Sequence, residues 1–182
     1  MIQASSATPD DRIEIQPGDI TQLDVDAIVN AANAQLSLGG GVCGAIHRAA
    51  GRNLREACAA IGGCKTGDAV HTDGFDLKAK FVIHAVGPVW RGGAENEEAL
   101  LASCYRTALK IARQIGARSV AFPAISTGVY GFPLERATEI AVETVRAFLI
   151  EDNNAGDDGI EQVVFSVFGA EAEAAYRRAL GR

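Results

Sequence analysis

Two glycine-rich segments hold the residues whose types and spacing most clearly suggest chemistry. The first runs from Gly39 to Gly44 as Gly-Gly-Gly-Val-Cys-Gly and stands directly before a segment with helical spacing. Glycine lets a backbone approach a ligand closely, and the unpaired amides at a helix N-terminus bind anions. The second segment, Ser126 to Gly131, supplies more small residues and free amides. Either segment alone is equally well explained by tight turns, but the pair predicts a clamp around a diphosphate.

Polar residues also follow two predicted strands elsewhere in the chain. Gly18-Asp19-Ile20 comes after the first strand, and Asn30-Ala31-Ala32-Asn33 ends an apolar run and is predicted to be a loop. In open α/β sheets, ligands bind beyond the carboxyl ends of the strands. We therefore expect these two segments and the two glycine segments to meet in one cleft.

The elements that must position these segments alternate between strands and helices. Apolar runs predict strands over 13–15, 25–29, 81–86, 119–122 and 163–168. Helical spacing predicts helices over 42–50, 54–61, 96–115, 133–150 and 170–180, with Asn53 capping the second and Gly116 closing the third. Residues 151–159 are rich in acidic residues, Gly and Asn, which predicts a surface loop. The alternation predicts an α/β layered sheet with helices on both faces.

Length and composition indicate one ordinary globular domain. The chain has 182 residues, of which 48% are hydrophobic and 22% are charged, and these values are typical of a domain that folds alone. Residues 1–12 are polar and are predicted to form a flexible tail, which leaves 13–182 as the domain. We expect a monomer.

Charge and cysteine usage disfavour several classes of partner. The formal net charge is -6, and direct nucleic-acid binding is not expected because affinity for a polyphosphate backbone depends on clustered cations. The four cysteines show no zinc-site spacing, so no metal is predicted. The first residues lack the apolar core of a signal peptide, and no later segment is apolar enough to span a bilayer. The sequence predicts a cytoplasmic protein without membrane contact.

Four motifs, taken in order, resemble the macrodomain family. They are Gly18-Asp19-Ile20, Asn30-Ala31-Ala32-Asn33, Gly-Gly-Gly-Val-Cys-Gly-Ala-Ile-His from Gly39 to His47, and Pro-Ala-Ile-Ser-Thr-Gly-Val-Tyr-Gly-Phe-Pro from Pro123 to Pro133. The resemblance runs from Ile13 to Leu180 and is to the MacroD-type branch, which includes O-acetyl-ADP-ribose deacetylases. It implies a three-layer α/β/α fold with a mixed, mostly parallel sheet of about six strands.

The activity that this resemblance implies is hydrolysis of ester-linked ADP-ribose, without a cofactor. The substrates would be mono-ADP-ribosylated glutamate or aspartate side chains on proteins, or O-acetyl-ADP-ribose. The diphosphate of the ligand would contact residues from both glycine segments: Gly40, Gly41, Val42, Gly44, Ser126, Thr127, Gly128 and Val129.

The resemblance also assigns residues to the adenine. Asp19 would accept a hydrogen bond from the adenine amino group, and the amide of Ile20 would contact the adjacent ring nitrogen. A carboxylate suits this task because it only accepts, although an isolated Gly-Asp pair is also typical of a turn cap. Phe168 matches the aromatic residue that lies against adenine, and plain core packing explains it equally well.

The distal ribose would be held by Asn33 and covered by Tyr130, which places both residues beside the scissile bond. Asn30 is expected to brace the loop instead. Cys43 stands where active members of this branch carry an aspartate that orients or deprotonates water. A free thiol has a pKa of about 8.5 and is a poor base at neutral pH, which predicts weaker catalysis. His47 is interpreted as a neutral, hydrogen-bonded structural histidine rather than as the partner of a Cys43 nucleophile.

Two other functions remain open at this point. A reader module that binds ADP-ribose without cleaving it would be consistent with the absent aspartate. An NAD-dependent dehydrogenase is suggested by Gly39-x-Gly41-x-x-Gly44, which fits a GxGxxG pattern. In a Rossmann unit, however, the first glycine closely follows the strand, whereas six residues, 33–38, intervene here.

Overall fold

A computed structural model describes residues 8–154 and 156–182 of the chain. The strands are β1 Ile13–Pro17, β2 Ala27–Ala32, β3 Ala69–Asp73, β4 Phe81–Val86, β5 Ser119–Phe122 and β6 Gln162–Val167. The helices are α1 Gly41–Ala50, α2 Arg52–Ile61, α3 Glu97–Gln114, α4 Leu134–Asp152 and α5 Ala170–Leu180, and short 3-10 helices cover Pro9–Arg12, Ile20–Gln22 and Gly156–Asp158.

The six strands form one sheet in the order β1-β6-β5-β2-β4-β3. All neighbouring pairs are parallel except β3 and β4, so β3 is an antiparallel edge strand. The prediction of a mixed, mostly parallel sheet is confirmed. Because the other five strands run in the same direction, their carboxyl ends share one edge of the sheet, and the glycine segments follow two of these ends.

Side chains alternate along each strand between two buried cores. Val29 and Ile83 belong to the larger core, which lies on the side of α3, α4 and α5. Ile28 and Val82 belong to the second core, together with Ile46 of α1 and other residues of α1 and α2. The sheet is therefore covered on both faces, which confirms the three-layer arrangement. No helix in the described ranges has the length and apolar composition needed to cross a membrane.

Three predicted element boundaries are wrong. Strand β2 continues to Ala32, so Asn30 lies inside the sheet and pairs in register with His84 rather than starting a loop. Asn53 does not cap α2, because the helix begins one residue earlier and its N-cap is Gly51. The helix predicted to end at 150 extends to Asp152, whose buried carboxylate accepts hydrogen bonds from Arg113 and the amide of Ile160.

The start of the domain also differs from the prediction. Residues 9–12 fold as a 3-10 helix, and Arg12 donates to the carbonyl oxygens of Leu149 and Ile160 at 2.6 and 2.9 Å. Asp10 forms a bidentate ion pair with Arg146 at 2.6 Å. This part of the predicted tail thus belongs to the domain, because its side chains bond to α4. The remainder of the predicted tail, residues 1–7, lies outside the described residues.

Candidate functional site

A cleft at the carboxyl edge of the sheet has two adjoining compartments. The glycine compartment has a volume of about 420 Å³ and is lined by residues 31–33 and 39–43, by Gly87, and by residues 124–130. The Asp19 compartment has a volume of about 480 Å³ and is lined by Gly18, Asp19, Ile20, Gly41, Val42, Ala45, Arg48, Pro123, Ala124, Thr127, Ser166, Phe168 and Ala172. The two share Gly41, Val42, Ala124 and Thr127, so the predicted single cleft is continuous across both glycine segments.

The first glycine segment forms the turn into α1. Gly41 has a φ of +54°, a conformation that favours glycine, and the N-cap Gly40 has no side chain to bond the first amides. These amides and the positive end of the helix dipole lie at the junction of the compartments. Gly44 lines neither compartment. A Cβ atom there would stand 2.7 Å from the carbonyl oxygen of Gly39, so this glycine serves close packing.

The second glycine segment faces α1 with unpaired groups. Ser126 has a φ of +67°, which is strained for a residue with a side chain, and its buried hydroxyl has no hydrogen-bond partner among the described residues. The amide of Phe132 donates to Ser126 O at 2.9 Å and closes the loop. Within the part of the chain that the structure describes, no group accepts from the amides of residues 128–130. Both segments thus present free donors to the same space.

A neighbouring loop supports this segment and was not anticipated from the sequence. The amide of Trp90 donates to Tyr130 O at 2.8 Å, and the Trp90 ring packs on Phe132 with centroids 4.6 Å apart. The buried carboxylate of Glu97 accepts from the amides of Arg91, Gly93 and Glu95 at 2.8–3.2 Å. These amide hydrogen bonds hold the pKa of Glu97 below its usual value, against the opposing effect of desolvation. The loop is therefore fixed internally by Glu97, and Trp90 connects it to the second glycine segment through contacts between residues distant in sequence.

The Asp19 compartment carries an acceptor and an exposed aromatic ring. Asp19 Oδ1 caps a turn by accepting from the amide and hydroxyl of Thr21 at 2.9 and 2.8 Å, so the turn-cap interpretation is confirmed. The second oxygen, Oδ2, accepts no hydrogen bond from any described residue and is available to a ligand. Phe168 is 83% exposed, which excludes core packing as the reason for an aromatic residue there.

Arg48 is a lining residue that the sequence interpretation missed. It lies on the same face of α1 as Gly41 and Ala45, at helical spacings of seven and three residues. Its side chain is exposed, and it forms no ion pair with any carboxylate in the described ranges. The seven-residue spacing from Gly41 could have placed Arg48 on the ligand-facing side of the helix. An arginine on a helix surface, however, usually contacts only solvent.

Of the two asparagines, Asn33 lies at the cleft as predicted, whereas Asn30 lies beneath it. Asn33 lines the glycine compartment, but its amide also braces the following turn: Oδ1 accepts from Ser37 N at 3.0 Å and Nδ2 donates to Ser37 O at 3.1 Å. Asn30 is buried, and its Nδ2 approaches His84 Nδ1 at 3.1 Å and Cys43 Sγ at 3.7 Å. The prediction that Asn30 braces the loop is therefore wrong, because the strand turns its side chain inward.

Cys43 forms part of the wall between the cleft and this buried region. It lines the glycine compartment, although it is only 5% exposed, and its Sγ lies 3.7 Å from Ser37 O. Among the described residues that line the glycine compartment there is no carboxylate or imidazole. The chemistry of this compartment is therefore carried by amides, hydroxyls, the thiol and the phenol of Tyr130.

His47 is buried one helical turn after Cys43. Burial and the nearby charge of Arg55 lower its pKa, which agrees with a neutral ring. Neither ring nitrogen has a hydrogen-bond partner among the described residues, so the expected hydrogen-bonded state is wrong and His47 does not activate the Cys43 thiol. Nor do three His, Cys, Asp or Glu side chains in the described ranges come together in a way that could hold a metal ion.

Fold and cleft together define a three-layer α/β/α domain with an anion-accepting site at the carboxyl edge of its parallel strands. The model of the family described as Macro domain matches residues 29–141. A macro domain-containing protein of Chlorobaculum tepidum, CT2219, is 56% identical over 162 residues, which cover 89% of this chain and 91% of the relative. This chain belongs to the Macro domain family.

Two further relatives carry more specific descriptions. A protein of Cronobacter turicensis named O-acetyl-ADP-ribose deacetylase is 50% identical over 175 residues, which cover 94% of this chain and 97% of that protein. The crystal structure of a Trypanosoma brucei macrodomain in complex with ADP-ribose matches with a TM-score of 0.88 at 41% identity. That match covers 97% of this chain and 72% of the other.

Proposed function

We propose that this chain binds ADP-ribose and hydrolyses its ester linkages, either to glutamate or aspartate side chains of proteins or in O-acetyl-ADP-ribose. The observation that carries the proposal is that unpaired amides from both glycine segments line one compartment, which adjoins the Asp19 compartment at the start of α1. A dinucleotide-like ligand with a central diphosphate fits this arrangement, because its anionic centre meets the donors and its two ends fill separate spaces.

The Asp19 compartment would take the adenosine end. Asp19 Oδ2 would accept from the exocyclic amino group, the amide of Ile20 would donate to the neighbouring ring nitrogen, and Phe168 would stack on the base. Arg48 would add a positive charge at the rim of this compartment, in a chain whose net charge is negative. These groups discriminate adenine by its pattern of donors and acceptors.

The glycine compartment would take the distal ribose, with Asn33 and Tyr130 beside the scissile bond. Water would add to the anomeric carbon as its bond to the carboxylate breaks, and the carboxylate would leave with the bonding electrons. The proton released by the water would pass to solvent, with an α-phosphate oxygen orienting the attack. Positioning would supply most of the rate, since no lining side chain is a strong base.

A reader that binds ADP-ribose without cleaving it is the second candidate. It is favoured by one observation, the absence of a carboxylate among the residues that line the glycine compartment. Calorimetric titration with ADP-ribose and release of label from a mono-ADP-ribosylated protein separate the two. Binding with release supports the hydrolase, binding without release supports the reader, and no uptake at millimolar ADP-ribose contradicts both. A panel of acyl, arginyl and seryl linkages then defines the scissile bond.

The Asn33→Ala variant is expected to lose hydrolysis by at least about tenfold, while its affinity for ADP-ribose stays within a few-fold. The reason is that the amide would hold the distal ribose, whereas main-chain donors would hold the diphosphate. Label release and calorimetry measure the two effects. Ser37→Ala is the matched control, because it removes one hydrogen bond of the same turn and leaves the Asn33 amide in place. Equal rates for parent and Asn33→Ala would contradict the assignment.

The Phe168→Ala variant is expected to weaken ADP-ribose binding without destabilising the fold. Loss of stacking on a base costs about 1–3 kcal/mol, which is about 5- to 150-fold in Kd. Because Phe168 is exposed, its free energy of unfolding should change by less than about 0.5 kcal/mol. Ile150→Ala is the control, since Ile150 is an exposed apolar residue that lines neither compartment. An unchanged Kd for Phe168→Ala would remove the ring from the site.

A further inference from the structure

A row of buried polar side chains crosses three neighbouring strands beneath the cleft. Asn30 of β2 and the completely buried His84 of β4 pair in register. Thr72 of β3, which pairs with Val82, is a diagonal neighbour whose hydroxyl reaches His84. Asn30 and His84 share their face of the sheet with Ile28 and Val82, which is the face covered by α1 and α2. The function proposed above uses none of these three side chains.

The hydrogen bonds of the row fix the tautomer of His84. The amide nitrogen of Asn30 can only donate, so His84 Nδ1, 3.1 Å away, must be the unprotonated acceptor. The proton then lies on Nε2, which donates to Thr72 Oγ1 at 3.0 Å. The hydroxyl of Thr72 donates in turn to the main-chain carbonyl oxygen of Asp73, also at 3.0 Å. The Sγ atom of Cys58 lies 3.7 Å from Nε2 as a more distant contact. Each donor in the row therefore has an acceptor.

The row ends at the wall of the glycine compartment. The Nδ2 atom of Asn30 also lies 3.7 Å from Cys43 Sγ, a distance at which an N–H group donates to sulfur. The side-chain oxygen of Asn30, Oδ1, accepts no hydrogen bond from any described residue. The orientation of this buried amide is thus set by its contacts with His84 and Cys43, of which that with His84 is the stronger.

We propose that His84 is a positioning residue, which orients the Asn30 amide so that Asn30 holds the Cys43 side chain in the wall beside Asn33. The proposal rests on the hydrolytic function proposed above for its effect on rate, but its effect on Cys43 does not depend on that function. Without an acceptor at position 84, the side-chain amide of Asn30 can rotate by about half a turn, so that its Oδ1 atom instead of Nδ2 faces Cys43 Sγ. The side chain of Cys43 then leaves the wall and enters the compartment where the distal ribose would lie.

The test compares His84→Leu with His84→Asn. Leucine fills similar space but accepts no hydrogen bond, whereas the side-chain oxygen of asparagine can replace Nδ1 as the acceptor. Two quantities are measured: kcat and KM for ester-linked ADP-ribose, and the rate at which iodoacetamide alkylates Cys43. The alkylation is followed in a Cys64→Ser background, because Cys58 and Cys104 are buried and line neither compartment, whereas Cys43 lines the glycine compartment. His71→Asn is the control, since His71 lies on the same edge strand as Thr72 and outside the row.

His84→Leu is expected to lower kcat by about tenfold with KM within about threefold, and to raise the alkylation rate of Cys43 several-fold. His84→Asn should restore both values toward those of the parent. Unchanged alkylation in His84→Leu, or equal defects in His84→Leu and His84→Asn, would overturn the proposal. If His84→Leu does not fold, Thr72→Val removes the hydroxyl acceptor of Nε2 and leaves only the more distant Sγ of Cys58. This variant should raise the alkylation rate by a smaller factor, and no rise would equally overturn the proposal.

The alkylation assay also separates failure of this inference from failure of the proposed function. Saturating ADP-ribose should slow alkylation of Cys43 in the parent, because the ligand would cover the compartment that this thiol lines. No protection by ADP-ribose would count against the proposed function. Protection in the parent together with unchanged alkylation in His84→Leu would count against the role of His84 alone.

Discussion

Cys43→Asp is expected to raise the turnover of ester-linked ADP-ribose by at least about tenfold, because a positioned general base contributes about 10²–10⁴ in rate. The glycine compartment has no lining carboxylate, and position 43 lies in its wall. The new carboxylate would accept from Asn30 Nδ2, which now approaches the sulfur at 3.7 Å. That hydrogen bond offsets part of the cost of burying the charge. A time course of label release measures the gain.

The matched control for this substitution is Cys43→Asn. Asparagine has the shape of aspartate but cannot accept a proton from water, so its turnover should not exceed that of the parent. The affinity of both variants for ADP-ribose should stay within a few-fold, since the proposed grip on the diphosphate comes from main-chain amides. Equal rates for Cys43→Asp and Cys43→Asn would show that position 43 does not activate water.

The fold was largely predictable because most strands here are buried on both faces. Runs such as Phe81–Val86 and Gln162–Val167 are almost continuously apolar, and each is followed by a helix. Strand β3 escaped detection because it is an edge strand whose buried positions alternate irregularly with polar ones, including His71 and Asp73. The pairing of β3 with β4 depends on residues outside β3, and the local sequence of a short polar segment does not indicate such a pairing.

The parts of the site formed by main-chain amides were predictable from the sequence. The directions of side chains and the contacts between loops were not. Glycine segments next to strand ends imply free amides, and both segments lie in the cleft as expected. The inward direction of Asn30 follows from the continuation of β2 to Ala32, because alternation along a strand places Asn30 on the same face as the buried Ile28. Likewise, the support that Trp90 gives to Tyr130 requires two loops to meet in space.

Stability is expected to fall as the pH decreases from 6.5 toward 4, because His84 resists protonation in the fold. Burial, reinforced by the charges of His47 and His71, lowers its pKa from 6.5 to about 4. In this pH range the His84 side chain is protonated in the unfolded chain and neutral in the native chain. Proton binding therefore favours the unfolded state and lowers the free energy of unfolding. At about 1.4 kcal/mol per pKa unit, the free energy of unfolding should fall by about 2 kcal/mol between pH 6.5 and 5. Above pH 6.5 this contribution is complete.

Urea unfolding at pH 7, 6 and 5 measures the effect, and His84→Asn isolates it. His84 contacts Cys58 of α2, Thr72 of β3 and Asn30 of β2, and the charges of His47 from α1 and His71 from β3 act on it. The lowered pKa of His47 contributes a loss of stability of the same sign as the pH falls. Carboxylates with lowered pKa values, such as Asp10 and Asp26, lose their contribution only as the pH approaches their unfolded value of 3.8. His84→Asn should therefore flatten the curve above pH 5, and a slope equal to that of the parent would mean that His84 is not its source.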